Sequence, residues 1–269
     1  MSDSPFHDVG SVFPGEVNVV SVPSHTSVEV ALRLMQEKRF SQLPVMEDGQ
    51  VIGVFSLWSL TENLVSAPGM KIEALLKDLQ VGDLMEQLPR VTVNESIHSI
   101  LGHLGRYEAV LVNSSHGLQG VATSTDVLRY FYQVARPYIL LQEVELALRN
   151  LIERCAPDLT LKQCIDRALV KSYEAKQRVA PKNLTEMSFE DYRTIIICSS
   201  NWPIFEGLLG KNREMVAAKL ERLRRIRNDV FHFRNDVSLS DHQHLATSRD
   251  WLLGKLKSKV QCEKEQSNA

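Results

Sequence analysis

The chain has 269 residues and a formal net charge of -2, and 43% of its residues are hydrophobic and 24% charged. That length allows one large domain or two ordinary ones, and the composition is that of a globular protein rather than a disordered or fibrous one. No apolar run is long enough to span a bilayer, and Met1-Ser2-Asp3-Ser4-Pro5 lacks the basic and apolar parts of a signal peptide. Cys155, Cys164, Cys198 and Cys262 are widely spaced. They are read as reduced thiols of a cytoplasmic protein, small buried hydrophobes rather than zinc ligands.

The charge is uneven. Residues 1–136 hold 9 Lys and Arg against 15 Asp and Glu, and residues 137–269 hold 22 against 18. A second half with excess cations is open to a polyanionic partner or to a merely solvated helix face.

The first half repeats itself. Val19-Val20-Ser21-Val22 and Val91-Thr92-Val93 are short β-branched runs, each followed by an amphipathic helix. Val28, Ala31, Leu32 and Met35 hold helical spacing in the first copy, and Ile97, Ile100, Leu101 and Leu104 hold it in the second. Two apolar strands around a turn come next in each copy, Leu43–Met46 with Val51–Phe55 and Ala109–Val112 with Leu118–Ala122. A polar step into a helix closes each copy, at Ser56-Leu57-Trp58-Ser59 and at Thr123-Ser124-Thr125-Asp126. Each copy is half a core that needs the other to bury its apolar face.

Past Arg136 the pattern is helical. Pro137 suits the first turn of a helix whose apolar face is Leu140, Val144, Ala147, Leu148, Leu151 and Ile152. Thr160 with Gln163, Ser188 with Asp191 and Ser240 with Gln243 are spaced as capping boxes. Between the last two lies a basic, apolar-striped stretch, Lys211 to Phe233, on which Arg227 shares the stripe of Val216, Leu220, Leu223 and Val230. It ends in Arg227-Asn228-Asp229-Val230-Phe231-His232. Arginine can stabilise a phosphoryl group and histidine can move protons near neutral pH. On an ideal helix five residues turn through about 140°, so Arg227 and His232 do not share one face, whereas Asn228 and His232 do. Two roles stay open: a catalytic pair completed by a second chain, or an Arg227 salt bridge to Glu143 or Glu145 with His232 at the helix C-terminus. Phe231, Phe233 and Trp251 read as core, and residues 261–269 as a disordered polar tail.

The repeat resembles the cystathionine-β-synthase (CBS) domain, a family that works as a pseudo-twofold pair. Val81-Gly82-Asp83-Leu84-Met85 fits its lead-in, and Gly120-Val121-Ala122-Thr123-Ser124-Thr125-Asp126 fits its Gly-x-x-Thr-x-x-Asp ligand motif. The resemblance implies an adenosine nucleotide (ATP, ADP or AMP), with Asp126 on the ribose hydroxyls and Thr123 by the phosphate or sugar. The alternative is that both residues only cap a helix. Ser56 and Ser59 replace the pair in the first copy, and serine cannot hold two hydroxyls with charge, so one site on the second copy is expected.

The second half resembles the HEPN superfamily, through the helix Glu145-Leu146-Ala147-Leu148-Arg149-Asn150-Leu151-Ile152, through Phe189-Glu190-Asp191-Tyr192 and Trp202-Pro203-Ile204-Phe205, and through the Arg-x4-His string. That resemblance implies a homodimer and a metal-independent endoribonuclease of toxin or defence type. His232 would act as acid or base, Arg227 would stabilise the phosphorane and Asn228 would position the phosphate. The expectation is therefore an α+β protein: two β-α-β-β-α repeats over 9–135 (copies about 18–65 and 83–133), then an all-α bundle over 137–260. It would be a nucleotide-regulated ribonuclease acting on RNA without a membrane or a catalytic cofactor. The alternative is a non-catalytic sensor whose helical half docks a partner or RNA.

Overall fold

The computed structural model describes residues 7–13, 19–66, 76–234 and 237–266, with side chains to 257. The chain divides into two compact units, 1–132 and 133–269, an α+β part followed by a largely helical one.

In the first unit each repeat folds as a three-stranded sheet with its helix. The first contains β1 (Val22–Pro23), α1 (Val28–Lys38), β2 (Gln42–Glu47), β3 (Gln50–Ser56) and α2 (Leu57–Ser66). The lead-in helix α3 (Val81–Leu84) comes next, then the second repeat with β4 (Arg90–Thr92), α4 (Ile97–Tyr107), β5 (Ala109–Ser114) and β6 (Gly117–Thr123). In both sheets the first strand runs parallel to the second and the second antiparallel to the third. Both carry a bulge at the same place, Val45/Met46 and Val112/Asn113. The expected helix faces are buried: Val28, Ala31 and Met35 pack with Leu43, Val45 and Phe55, and Ile97, Ile100 and Leu104 with Val110, Val112 and Ala122. Val54, Leu88, Ala109 and Leu111 form a further cluster between the sheets.

The lead-ins are exchanged between repeats. Val81 and Gly82 donate backbone N–H groups to the Thr26 and Ser24 carbonyls of the first repeat, at 2.9 Å each. A 3₁₀ turn at Val9–Val12 makes the matching bonds on the second repeat, Val9 to Glu95 and Gly10 to Val93, at 2.8 Å each. Val9-Gly10-Ser11-Val12-Phe13 is thus a diverged copy of Val81-Gly82-Asp83-Leu84-Met85. Asp8 caps the turn, its carboxylate accepting from the Ser11 N–H at 2.9 Å.

The helical unit begins within α5 (Ser124–Cys155), which passes through Pro137 rather than starting there. Proline lacks the N–H that would serve the Gln133 carbonyl. Gln133 is exposed, so water can satisfy that carbonyl, while the buried Leu140, Leu141 and Val144 just beyond favour continuing the helix. Next come α6 (Leu159–Ala168), α7 (Val170–Glu174), α8 (Phe189–Ile197), α9 (Trp202–Leu209), α10 (Arg213–Phe231) and α11 (Leu239–Gln266). Leu148, Leu151, Ile152, Tyr192, Ile195, Phe205, Leu220, Leu223 and Leu252 belong to one core.

Of the three expected capping boxes, Ser188 with Asp191 forms. Thr160 lies inside α6, which starts one residue earlier at Leu159. At α11 Ser238, not Ser240, bonds reciprocally with Asp241, because the helix starts before Ser240 can cap it. That helix continues to Gln266 where a disordered tail was expected; Gln261, Glu263, Lys264, Glu265 and Gln266 are good helix formers that extend an existing helix at little cost. Residues 267–269 lie outside the described ones. No two of Cys155, Cys164 and Cys198 are joined by a disulfide, and the Cys262 side chain lies outside the described residues.

Candidate nucleotide cavity and helix-end cluster

The β6–α5 junction builds the first site. The Thr123 N–H and hydroxyl both donate to Asp126 Oδ2, at 3.0 and 2.6 Å. The Asp126 N–H returns a bond to Thr123 Oγ1 at 3.3 Å. The two residues therefore cap α5, as one of the two open roles required. Capping engages Oδ2, while Oδ1 faces the Arg129 guanidinium at 3.5 Å. The same junction opens a cavity of about 460 Å³, within the range of small-molecule sites. Thr123, Asp126 and Arg129 line it together with Arg39, Phe40 and Phe13. Phe13 stands over Gly120, where an added Cβ would come 3.3 Å from the ring, so the glycine lets the lead-in ring approach the cavity wall.

Arg39, Arg129, Phe13 and Phe40 were not singled out from sequence. Arg39 ends α1 in a left-handed conformation, φ 58°, a position that helix periodicity does not assign. Phe13 would have been found by aligning the two lead-ins.

At the equivalent junction of the first repeat the two serines are buried and paired with each other. Ser56 and Ser59 are each only 2% exposed. Their side chains accept each other's backbone N–H, at 2.9 and 3.0 Å. The Ser56 hydroxyl also donates to the Glu86 carboxylate in a short contact. Met85 packs on Gly53 as Phe13 packs on Gly120.

The second cluster lies at the end of α10, where Asn212 caps the N-terminus and His232 occupies the C-cap. The stripe residues Val216, Leu220, Leu223 and Val230 are buried. The alternative partners proposed for Arg227 are engaged elsewhere: Glu143 with Arg249 at 3.0 Å and Glu145 with Arg149 at 2.6 Å. Among the described residues no carboxylate pairs with Arg227. Its Nη1 reaches Asn228 Oδ1 at 3.4 Å, its guanidinium sits 4.8 Å from the Phe231 ring centroid, and its Nε is buried with no hydrogen-bond partner among the described residues. His232 is exposed, and its backbone N–H donates to the Asn228 carbonyl at 3.0 Å.

Phe231 and Phe233 are exposed rather than core, Phe233 by 83%, and Trp251 is half-buried. The helix ends at Phe231, so the buried stripe does not continue past it. Phe231 meets Tyr138 edge-on at 5.7 Å, and Lys219 sits over the Trp251 ring at 4.6 Å.

Electrostatics on α10 and α11 predict acid sensitivity. Hydrogen bonds from Arg224, at 2.7 and 3.0 Å, hold the Glu221 carboxyl at about 2, helped by Arg225 and Arg193. Burial lowers the His244 imidazole, with Arg222 adding to it, and burial also lowers His242. The unfolded chain titrates these groups near their ordinary values, about 6.5 for His and about 4.3 for Glu. All three thus contribute stability at neutral pH. The histidine part is lost as pH falls below about 6.5, and the Glu221 part as it falls from about 4.3 towards 2. The melting temperature of the protein should fall by roughly a few degrees between pH 7.5 and 5, less so in His244→Gln. A flat or rising melting temperature would contradict this assignment.

Among the described residues no helix is long and apolar enough to cross a membrane. Residues 14–66 match the CBS domain family model, so the N-terminal region is CBS-like. No curated protein matches the chain. Solved structures do: CBSX2 in complex with AMP shares 27% identity over 48% of this chain and 98% of its own, with a TM-score of 0.39. The CBS domain of a bacterial CNNM/CorC family Mg2+ transporter in complex with ATP shares 23% over 46% and 86%, with a TM-score of 0.38. A CBS-domain containing protein from Agrobacterium tumefaciens shares 22% over 45% and 96%, with a TM-score of 0.39.

Proposed function

We propose that the N-terminal unit is a sensor for an adenosine nucleotide (AMP, ADP or ATP), bound in the cavity beside Thr123 and Asp126, and that occupancy regulates what the helical unit does. The cavity carries this reading: a helix-capping carboxylate keeps one oxygen directed at an open, partly aromatic, cationic recess. A carboxylate accepts two ribose hydroxyls, and a helix N-terminus favours an anion. Regulation requires only that the nucleotide bind one state of the protein more tightly than another. Titration calorimetry with AMP, ADP and ATP tests it. Saturable binding of at least one is expected, and no heat and no thermal shift with any of the three would sink the reading.

A second reading concerns the effector. The helical unit acts as a metal-independent endoribonuclease in a homodimer, with the Arg227–Asn228–His232 cluster from each chain contributing to a composite site. Three observations favour it over a purely structural cluster. Arg227 lacks a carboxylate partner among the described residues, His232 is exposed at the helix end, and Phe231 and Phe233 offer exposed rings on which bases can stack. His232 would take the proton from the ribose 2′-hydroxyl or return one to the leaving 5′-oxygen. Arg227 would hold the charge growing on the phosphorane, and Asn228 would position the phosphate. Because RNA supplies its own nucleophile, the products are a 2′,3′-cyclic phosphate and a 5′-hydroxyl. RNA incubated with the protein in EDTA should yield these ends. Intact RNA both with and without nucleotide would favour a docking module instead.

A further inference from the structure

The two repeats place oppositely charged side chains at equivalent positions. Ser59 stands where Asp126 stands, each three residues past the end of its third strand. Three residues further along the chain come Glu62 and Arg129. The helices α1 and α4 both end in a left-handed residue, Arg39 at φ 58° in one and Glu108 at φ 61° in the other. The open cavity is therefore lined by two guanidiniums and one carboxylate: Arg39, Arg129 and Asp126. In the first repeat Glu62 stands at the position of Arg129, in the second Glu108 stands at that of Arg39, and the Ser56 hydroxyl donates to the Glu86 carboxylate.

Resting on the nucleotide reading above, we propose that Arg39 and Arg129 select the ligand by its phosphate. The chain would then take one nucleotide per molecule and discriminate strongly against the nucleoside. A neutral nucleoside leaves the two guanidiniums without a counter-charge, whereas a phosphate accepts from both through paired N–H donors. Arg129 is free to turn towards it, because its side chain is 67% exposed and held only loosely to Asp126. When ribose hydroxyls occupy the Asp126 carboxylate, Arg129 loses that partner and a phosphate replaces it. At the counterpart the positions equivalent to Arg39 and Arg129 carry the carboxylates of Glu108 and Glu62, and like charges repel.

The test is titration calorimetry of the full chain with AMP, ATP and adenosine, for wild type and for the double variant Arg39→Gln/Arg129→Gln. The expected result is one site per chain, AMP or ATP bound at least ~10-fold more tightly than adenosine, and a loss of roughly 10–100-fold in nucleotide affinity in the variant with adenosine unchanged. Wild-type affinity for the nucleotide, but not for adenosine, should weaken between roughly 0.05 and 0.5 M salt. That measurement needs no variant and stands if the double substitution impairs folding. Adenosine binding as tightly as the nucleotide, with no salt dependence, overturns phosphate selection while leaving the adenosine site intact. Two sites per chain overturn the single-site claim. A wild type that binds none of the three compounds overturns the nucleotide reading itself.

Discussion

Asp126→Ala should lose about 3 kcal/mol of nucleotide binding, roughly 100-fold in affinity, because two charge-assisted bonds from ribose hydroxyls disappear together. The same change removes the acceptor for the Thr123 N–H and hydroxyl, so the unliganded protein should also lose about 1 kcal/mol from the α5 cap. The two losses can be separated. At 100 times its dissociation constant a ligand raises stability by about 2.7 kcal/mol, so a thermal melt with and without nucleotide reports binding as a difference, independent of the baseline. Asp126→Asn keeps a side-chain oxygen for the cap but lacks the charge. It should melt close to wild type without ligand and still show a much reduced nucleotide shift. If Asp126 only caps the helix, both variants will melt lower or unchanged but keep the full shift.

His232→Ala should reduce RNA cleavage in EDTA by ~10²–10⁴-fold, the usual contribution of a general acid or base. The side chain is exposed at the C-cap of α10 and makes no hydrogen bond described in the structure, so folding should be almost unaffected. That separation makes the substitution diagnostic. Arg227→Lys is its companion: it keeps the charge but loses the planar fork and the stacking on Phe231, and it should lower turnover more than RNA affinity. Equal cleavage patterns from wild type and His232→Ala would assign any observed cleavage to a contaminating nuclease and leave the helical unit as a docking module.

Much of the N-terminal architecture was legible because a repeat states its own register. The continuous apolar runs Leu43–Val45 and Ala109–Val112 reflect strands buried on both faces, and the helical spacing of Val28, Ala31 and Met35 reflects burial on one face; both are local properties. The Thr123–Asp126 helix cap could be read for the same reason. Arg39 and Phe13 could not, since they reach the cavity from separate segments through a helix-ending turn and an exchanged lead-in. Pro137 misled because its missing N–H is costly only when the carbonyl it would serve has no alternative partner, and solvent access is not written in the local sequence. At the end of α10, periodicity placed the buried stripe, but it could not show that the chain leaves the helix at His232 and carries Phe233 out of the core.

The exchanged lead-ins bear on how the protein is made. Residues 7–13 leave the ribosome before the second repeat, yet their backbone partners are Val93, Glu95 and Ile97. The first repeat can collapse around α1, β2 and β3 well before that, but its own lead-in must wait, unpaired, for the turn between β4 and α4, more than 80 residues downstream. A nascent chain stalled before the second repeat emerges would leave Phe13 without its Gly120 neighbour and lack the side of the cavity that carries Thr123, Asp126 and Arg129. On the nucleotide reading, ligand would therefore act on the protein only after synthesis of both repeats is complete, not on a partly made chain.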